Sequence, residues 1–341
     1  MFLFDSDTKT LLPPNWLSQP LTAIASLAPV QEVRFKPLQK LGICLLIKRD
    51  DLLGDKLGGN KLYKLHGHLN AYFNSGQDVP VASFGGAYSN HLYALAAAGQ
   101  LEGFSSIGII RGEAPKQYSP TLKDLEQMGM RLHFISRSDY LRRYDTDFYR
   151  ELEQQLGACF WIPEGGGGSE GARGCCVLAK GLASTLANTV DCRPDLLVHA
   201  CGTGSSFAGL NVGLSGTSLE GVATMGVVAL KLTRLEDQLE YASAVTELMQ
   251  ALDSGVGGGA DNWHLNYDFH CGGFAKYPSY LAAFVEDFER QTGVLLDPVY
   301  TSKVMWAVYQ KALVGDIRAG SCVVAVHSGG LQGRRSLSGR S

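Results

Sequence analysis

Short apolar runs alternate with helical segments along this chain, and that alternation limits its fold more than any single motif does. A strand is predicted around residues 43–49, within CLLIKRD, and a helix over KLYKLHGHLNAYF. VPVASFGGAYSNHLYALAAAGQL, SSIGIIRGE and TLKDLEQMGMRLHFIS continue the pattern, each piece joined to the next through Gly, Ser or Pro. It resumes after PEGGGGSEGARG with a helix at 171–189, a strand DLLVHAC, the loop GTGSS and a helix from Phe207. Further strands are predicted at GVVAL and SCVVAVHS. Apolar strands separated by helices with apolar residues every three or four positions specify βαβ units on parallel sheets, an α/β fold. At 341 residues the chain has room for two domains, or for one large α/β unit with a smaller lobe. The least regular stretch, 253–279, is rich in Gly and aromatics and too long for an idle connection, so it is expected to serve a site.

Composition removes several classes of function. A hydrophobic fraction of 45% and a charged fraction of 18% are those of an ordinary globular protein. A formal net charge of −3 without a dense Lys/Arg cluster gives no reason to expect nucleic acid as a partner. Arg334, Arg335 and Arg340 read as a frayed basic tail. The amino end, MFLFDSDTKTLLPP, lacks the basic and apolar regions of a secretory signal. No window approaches the ~18 uninterrupted apolar residues of a membrane span. Eight scattered cysteines without a CxxC pair argue against a zinc site or a disulfide scaffold and for buried reduced thiols. A cytoplasmic protein with no metal and no membrane or nucleic-acid partner is expected.

Several turns carry candidate chemistry. Gly54 to Gly59 has the glycine spacing of a P-loop, but Asn60 intervenes before Lys61 and Leu62 follows it, so that reading fails. Lys61 opens a helix, where the positive end of the dipole favours the neutral amine that a Schiff-base lysine needs; the alternative is a solvated helix start. Lys64, three positions on, shares nearly the same face and could meet a phosphate. CGTGSSFAG follows a strand and opens a helix, so Gly202, Thr203, Gly204 and Ser205 are candidates to ring an anion. A tight turn capped by Thr203 or Ser205 is the alternative. Because Phe207 occupies the place of a third glycine, this is no dinucleotide fingerprint. GGGGSEG at 165–171 has no strong strand before it and reads as a flexible loop. Ser89 and Asn90 stand at a helix start, where capping is the simplest role. Tyr300 follows an Asp-Pro turn, and Ser328 ends a predicted strand at the sheet edge where ligands bind in α/β proteins.

In this order and at these separations, KRDDL…GGNK…K with YSNH downstream resembles the pyridoxal-phosphate enzymes of the tryptophan-synthase-β fold. The resemblance is closest to the branch containing 1-aminocyclopropane-1-carboxylate (ACC) deaminase and D-cysteine desulfhydrase, and it runs from about residue 47 to 330. It implies a two-lobed protein of open, twisted parallel sheets with flanking helices. The large cofactor-binding lobe would be 1–63 plus 173–341, with a small α/β lobe, 64–172, inserted in it. It further implies Lys61 as the Schiff-base lysine of pyridoxal 5′-phosphate and Asn90 as partner of the ring's 3′ oxygen. Lys64 and the turn Gly202 to Ser205 would hold the phosphate. Ser89 would sit beside the substrate's α-carboxylate or act in proton transfer, with Tyr300 near the reacting carbons. A small amino-acid substrate and a homodimer are also implied.

Within that branch the deaminase is known for a Glu directly after the tyrosine of DPVY, close to the pyridine nitrogen. This chain has Thr301 there, so the nitrogen would meet a neutral hydroxyl, Ser328 or Thr301. That favours β-elimination of a good leaving group: D-cysteine to pyruvate, sulfide and ammonia. ACC deamination to 2-oxobutyrate and ammonia is the alternative. The family's second active-site tyrosine has no clear counterpart in DFHCGGFAKYPSY; His270, Phe274 and Tyr277 are the choices, and Cys271 either faces the pocket or is a buried thiol. Two further readings are a lyase acting on L-serine or L-threonine and a nucleotide-binding α/β protein without chemistry.

Overall fold

A computed structural model describes residues 10–189, 193–252 and 262–337. Cys192, Arg340 and the 253–261 part of the irregular stretch lie outside the described residues. Among the described residues ten strands form two sheets: β1 Val30–Val33, β2 Cys44–Lys48, β3 Val81–Gly85, β4 Ser106–Arg111, β5 Arg131–Ile135, β6 Phe160–Ile162, β7 Leu196–Cys201, β8 Ala223–Val228, β9 Trp263–Asn266 and β10 Cys322–Val326. One sheet has the order β1-β2-β10-β7-β8-β9 and the other β5-β4-β3-β6. Every pairing is parallel except β1 with β2. The fold is therefore the expected α/β arrangement of parallel sheets flanked by helices.

Three of these strands, β1, β6 and β9, are absent from the sequence expectation, and all three are sheet edges. A central parallel strand is covered on both faces and reads as a near-continuous apolar run, as in VVAV of β10. The edge strands VQEV and WHLN carry no such run, FWI is only three residues long, and all three keep partly exposed positions. The helix expected at 171–189 is two helices, Gly168–Cys175 and Val177–Thr189. The first packs between the helices Asn60–Ser75 and Ser205–Gly213. Glycine permits that sandwich, since a Cβ on Gly174 would collide with the carbonyl of Tyr63, and one on Gly209 with that of Ala172.

The carboxyl end to residue 337 is not frayed. Residues Leu331–Ser336 form 3-10 turns in which Arg334 pairs with Glu289 and donates to Leu296 O at 2.6 Å, while Arg335 pairs with Asp124 at 2.5 Å. No described helix is long and apolar enough to cross a membrane.

Candidate active site

Most segments of interest leave the carboxyl ends of parallel strands: β2 leads to Lys61, β3 to Ser89, β6 to Gly165, β7 to Gly202 and β10 to Ser328, while Tyr300 comes from the connection between the helices Ser279–Thr292 and Thr301–Leu313. That edge is where an open α/β sheet leaves room for a ligand. From β2 the chain makes one 3-10 turn, Asp50–Leu52, and the Asp50 carbonyl accepts the Gly59 amide at 2.9 Å. Gly59 has φ +64°, and a Cβ there would collide with the Ser328 carbonyl, which instead accepts the Asn60 amide at 3.2 Å. Glycine thus seats the start of the Asn60–Ser75 helix directly on the end of β10.

Beneath this junction KRDD is a buried charge group. Lys48 Nζ donates to the carbonyls of Ala25 (2.7 Å) and Ala28 and stands 4.0 Å from Asp50. Asp50 accepts from Tyr63 Oη at 3.0 Å, and burial pushes its carboxyl up to about 6. Arg49 pairs with Asp51 at 2.7 Å. In the sequence these residues serve only as a family mark. In the fold they tie β2 to the helix that carries Lys61.

Lys61 Nζ donates to Gly165 O at 3.1 Å, and Lys64 Nζ reaches the same carbonyl at 3.4 Å and Thr203 Oγ1 at 3.1 Å. Burial, and then the neighbouring Lys64, hold Lys61 well below the usual lysine range; burial lowers Lys64 too. Desolvation disfavours the charged amine, so burial does most of what the sequence argument asked of the helix end. Thr203 Oγ1 stands 3.2 Å from Ser205 Oγ, and Gly204 adopts φ +79° to open the helix Ser205–Gly213. Gly202 lies under Tyr300, whose Oη would be 3.0 Å from a Cβ at that position.

The 165–171 stretch is not a flexible loop. The edge strand β6 precedes it, Glu164–Gly166 is a 3-10 turn and Gly168 opens a helix, so the Gly165 carbonyl is fixed over both lysines. A three-residue strand of edge character hid this element from the sequence. His91, directly after Asn90, is also buried at the site. Its Nε2 is 2.8 Å from Ser83 Oγ, and burial with the two lysines holds it well below the usual histidine range.

Ser89 is the N-cap of the Asn90–Glu102 helix, its Oγ accepting from the Leu92 amide at 3.2 Å. Asn90 Oδ1 accepts from Gln332, and its amide nitrogen faces Gly330. Ser328 is buried, and its hydroxyl has no side-chain hydrogen bond among the described residues. Thr301 differs. Its hydroxyl donates to Asp297 Oδ1 at 3.0 Å and accepts the Asp297 amide at 2.8 Å, so this second candidate for the ring nitrogen is already engaged. Of the three candidates for a second tyrosine, Phe274 packs edge-on to Tyr300 at 6.2 Å and offers no hydroxyl. Cys271 is a buried thiol that donates to Phe269 O at 3.3 Å. A cleft of about 560 Å³ opens beside Asn90 and Val299, walled by Tyr88, Tyr277 and Arg335.

A family model described as pyridoxal-phosphate dependent enzyme matches residues 26–329. A putative ACC deaminase of Pyrococcus furiosus is 29% identical over 297 residues, 86% of each chain. A mitochondrial bifunctional D-cysteine desulfhydrase/ACC deaminase of Arabidopsis thaliana is 29% identical over 348 residues, covering 95% of this chain and 83% of the relative. The solved structure of an ACC deaminase homologue superposes with a TM-score of 0.76 at 25% identity, covering 92% of both chains.

Proposed function

The chain belongs to the pyridoxal-phosphate dependent enzyme family, and from that premise we propose that it is a D-cysteine desulfhydrase, releasing pyruvate, sulfide and ammonia. The residues at the strand ends fit the family's cofactor. Two lysines share one carbonyl beside a helix amino end, a donor-rich layout that suits a phosphate dianion. The Ser328 hydroxyl, which has no side-chain hydrogen bond among the described residues, leaves a polar contact for a ring, and Tyr300 lies over Gly202 beside it. We assign Lys61 to the aldehyde carbon, Lys64 with Gly202, Thr203, Gly204 and Ser205 to the phosphate, Asn90 to the ring oxygen and Ser328 to the ring nitrogen. Thr301 we assign to the Asp297 cap and not to the cofactor. When bound, the cofactor supplies an electron sink for charge that develops at the substrate's α carbon. Lys61 Nζ, kept neutral by burial, takes the α proton. Ser89 Oγ holds the substrate's α-carboxylate, and Tyr300 Oη stands near the departing β-substituent.

The observation that carries the choice of reaction is the environment of position 301. Thr301 supplies no carboxylate, and that of Asp297 is buried and taken up by the Val299, Tyr300 and Thr301 amides and the Thr301 hydroxyl. A ring nitrogen facing only a hydroxyl suits expulsion of a thiolate, which needs less electron withdrawal than opening a cyclopropane. ACC deamination to 2-oxobutyrate is the second reading, favoured by the names of the Pyrococcus relative and of the solved homologue. Keto-acid release from D-cysteine, ACC and L-cysteine, each offered alone, separates the two. Pyruvate from D-cysteine alone is expected, whereas 2-oxobutyrate from ACC would overturn the assignment. We extend the reading to a cytoplasmic homodimer whose lobes, 1–63 with 173–341 and 64–172, close on the substrate. Light scattering after size-exclusion chromatography tests the assembly.

A further inference from the structure

Glu164 is a carboxylate at the site to which the proposed chemistry gives no task. It directly precedes Gly165, the residue whose carbonyl both lysines share. Three donors from one short segment grip it. Tyr140 Oη donates to Oε1 at 2.5 Å, while Arg143 Nε and Tyr144 Oη donate to Oε2 at 2.6 and 3.2 Å. The Arg143 guanidinium also lies over the rings of Tyr140 and Tyr144, at 5.0 and 4.4 Å, so the donors brace one another. Held at both oxygens, this side chain restrains the peptide that follows it.

Its charge also acts through space. The groups facing Lys61 are Lys64 on its own helix, Cys175 on the Gly168–Cys175 helix, His91 on the Asn90–Glu102 helix, His199 on β7, and Glu164. Burial keeps the Cys175 thiol protonated and both histidines neutral, so Glu164 supplies the negative charge in that set. Across the site the same carboxylate helps Tyr300 keep its proton, after burial and Asp297.

We propose that Glu164 is a positioning residue for the reactive lysine. Clamped by Tyr140, Arg143 and Tyr144, it fixes the Gly165 carbonyl against Lys61 and Lys64, and its charge favours the protonated form of the nitrogen at Lys61. The proposal rests on the reading that Lys61 carries the cofactor. The test uses the full chain loaded with pyridoxal phosphate and follows the visible absorption of the bound cofactor against pH. In Glu164→Gln the titration midpoint should fall by about one unit, as expected for losing one nearby charge in a partly buried site. In Arg143→Gln, which removes the cation that offsets Glu164, the midpoint should rise. Shifts of opposite sign distinguish an electrostatic role from a loss of packing. Midpoints that stay put in both variants, or move the same way, would overturn the proposal. Should Glu164→Gln not fold, a midpoint in Arg143→Gln that stays or falls overturns it alone. Absence of a visible band from the wild-type protein, or a band undiminished in Lys61→Ala, would instead overturn the underlying cofactor assignment.

Discussion

The Thr301 hydroxyl is fully buried and used twice, as donor and acceptor to Asp297, whereas Ser328 is a buried residue whose hydroxyl has no side-chain partner among the described residues. Substitution at the two positions should therefore fail in different ways. Thr301→Val removes a donor from a buried carboxylate and should cost about 1–3 kcal/mol of stability, lowering the melting temperature while the visible absorption of bound cofactor persists. Ser328→Ala should leave the melting curve of the cofactor-free protein unchanged and weaken cofactor binding about tenfold, the value of one hydrogen bond near 1.4 kcal/mol. A spectrophotometric titration with pyridoxal phosphate measures it. Equal affinity in the two proteins would remove Ser328 from the ring nitrogen. The positions of Lys61, Ser89 and Asn90 at helix starts after glycine turns are legible in the sequence, a local signal, and Lys64 follows on the same helix as Lys61. Glu164, His91 and the Gly165 carbonyl are not, because their relevance comes from what the fold sets opposite them.

At the scale of elements, the visible and the hidden divide along burial. Interior strands announce themselves as apolar runs, so β2, β3, β4, β7, β8 and β10 could be read directly; of the four edges, β5 could be read through its mostly apolar RLHFI, while β1, β6 and β9 could not. β6 was the consequential loss, because without it the glycine run behind it looks like slack chain. The helix Gly168–Cys175 then shows why that run is glycine-rich: its backbone touches the lysine helix on one side and the Ser205–Gly213 helix on the other. Gly174→Ala puts a methyl into the Tyr63 carbonyl, two residues from Lys61. A clash between backbones cannot be relieved by a rotamer change, so the two helices must part, at a cost of about 1–3 kcal/mol or more. Because the helix that moves holds Lys61 and Lys64, the same variant should also bind cofactor more weakly. A lowered melting temperature with unchanged cofactor affinity would show that the two helices separate without moving the lysines.

For the whole molecule, the buried charge group under the site links stability to pH. Asp50 is fully buried, bonded to Tyr63 on one oxygen and unpartnered on the other among the described residues. Its carboxyl titrates at about 6 in the fold against an ordinary value of 3.8, with burial as the first cause and the Lys48 ammonium opposing it. Between those two values the folded chain holds a proton that the unfolded chain has released. The stability contributed by the protonated group is therefore complete below pH 3.8 and is lost as pH rises through about 6. A difference of two pH units corresponds to about 3 kcal/mol. Other carboxylates titrate over the same range and weaken the fold in acid, so the readable quantity is the difference between wild type and Asp50→Asn. That difference should favour the wild type by about 2 kcal/mol more at pH 4 than at pH 7, measured by urea unfolding at a series of pH values. A difference that stays level across the range would mean that Asp50 is ionised in the fold at pH 4. Lys48 and Tyr63 would then compensate its burial completely, and KRDD would act as a neutral ion-paired brace for the lysine helix.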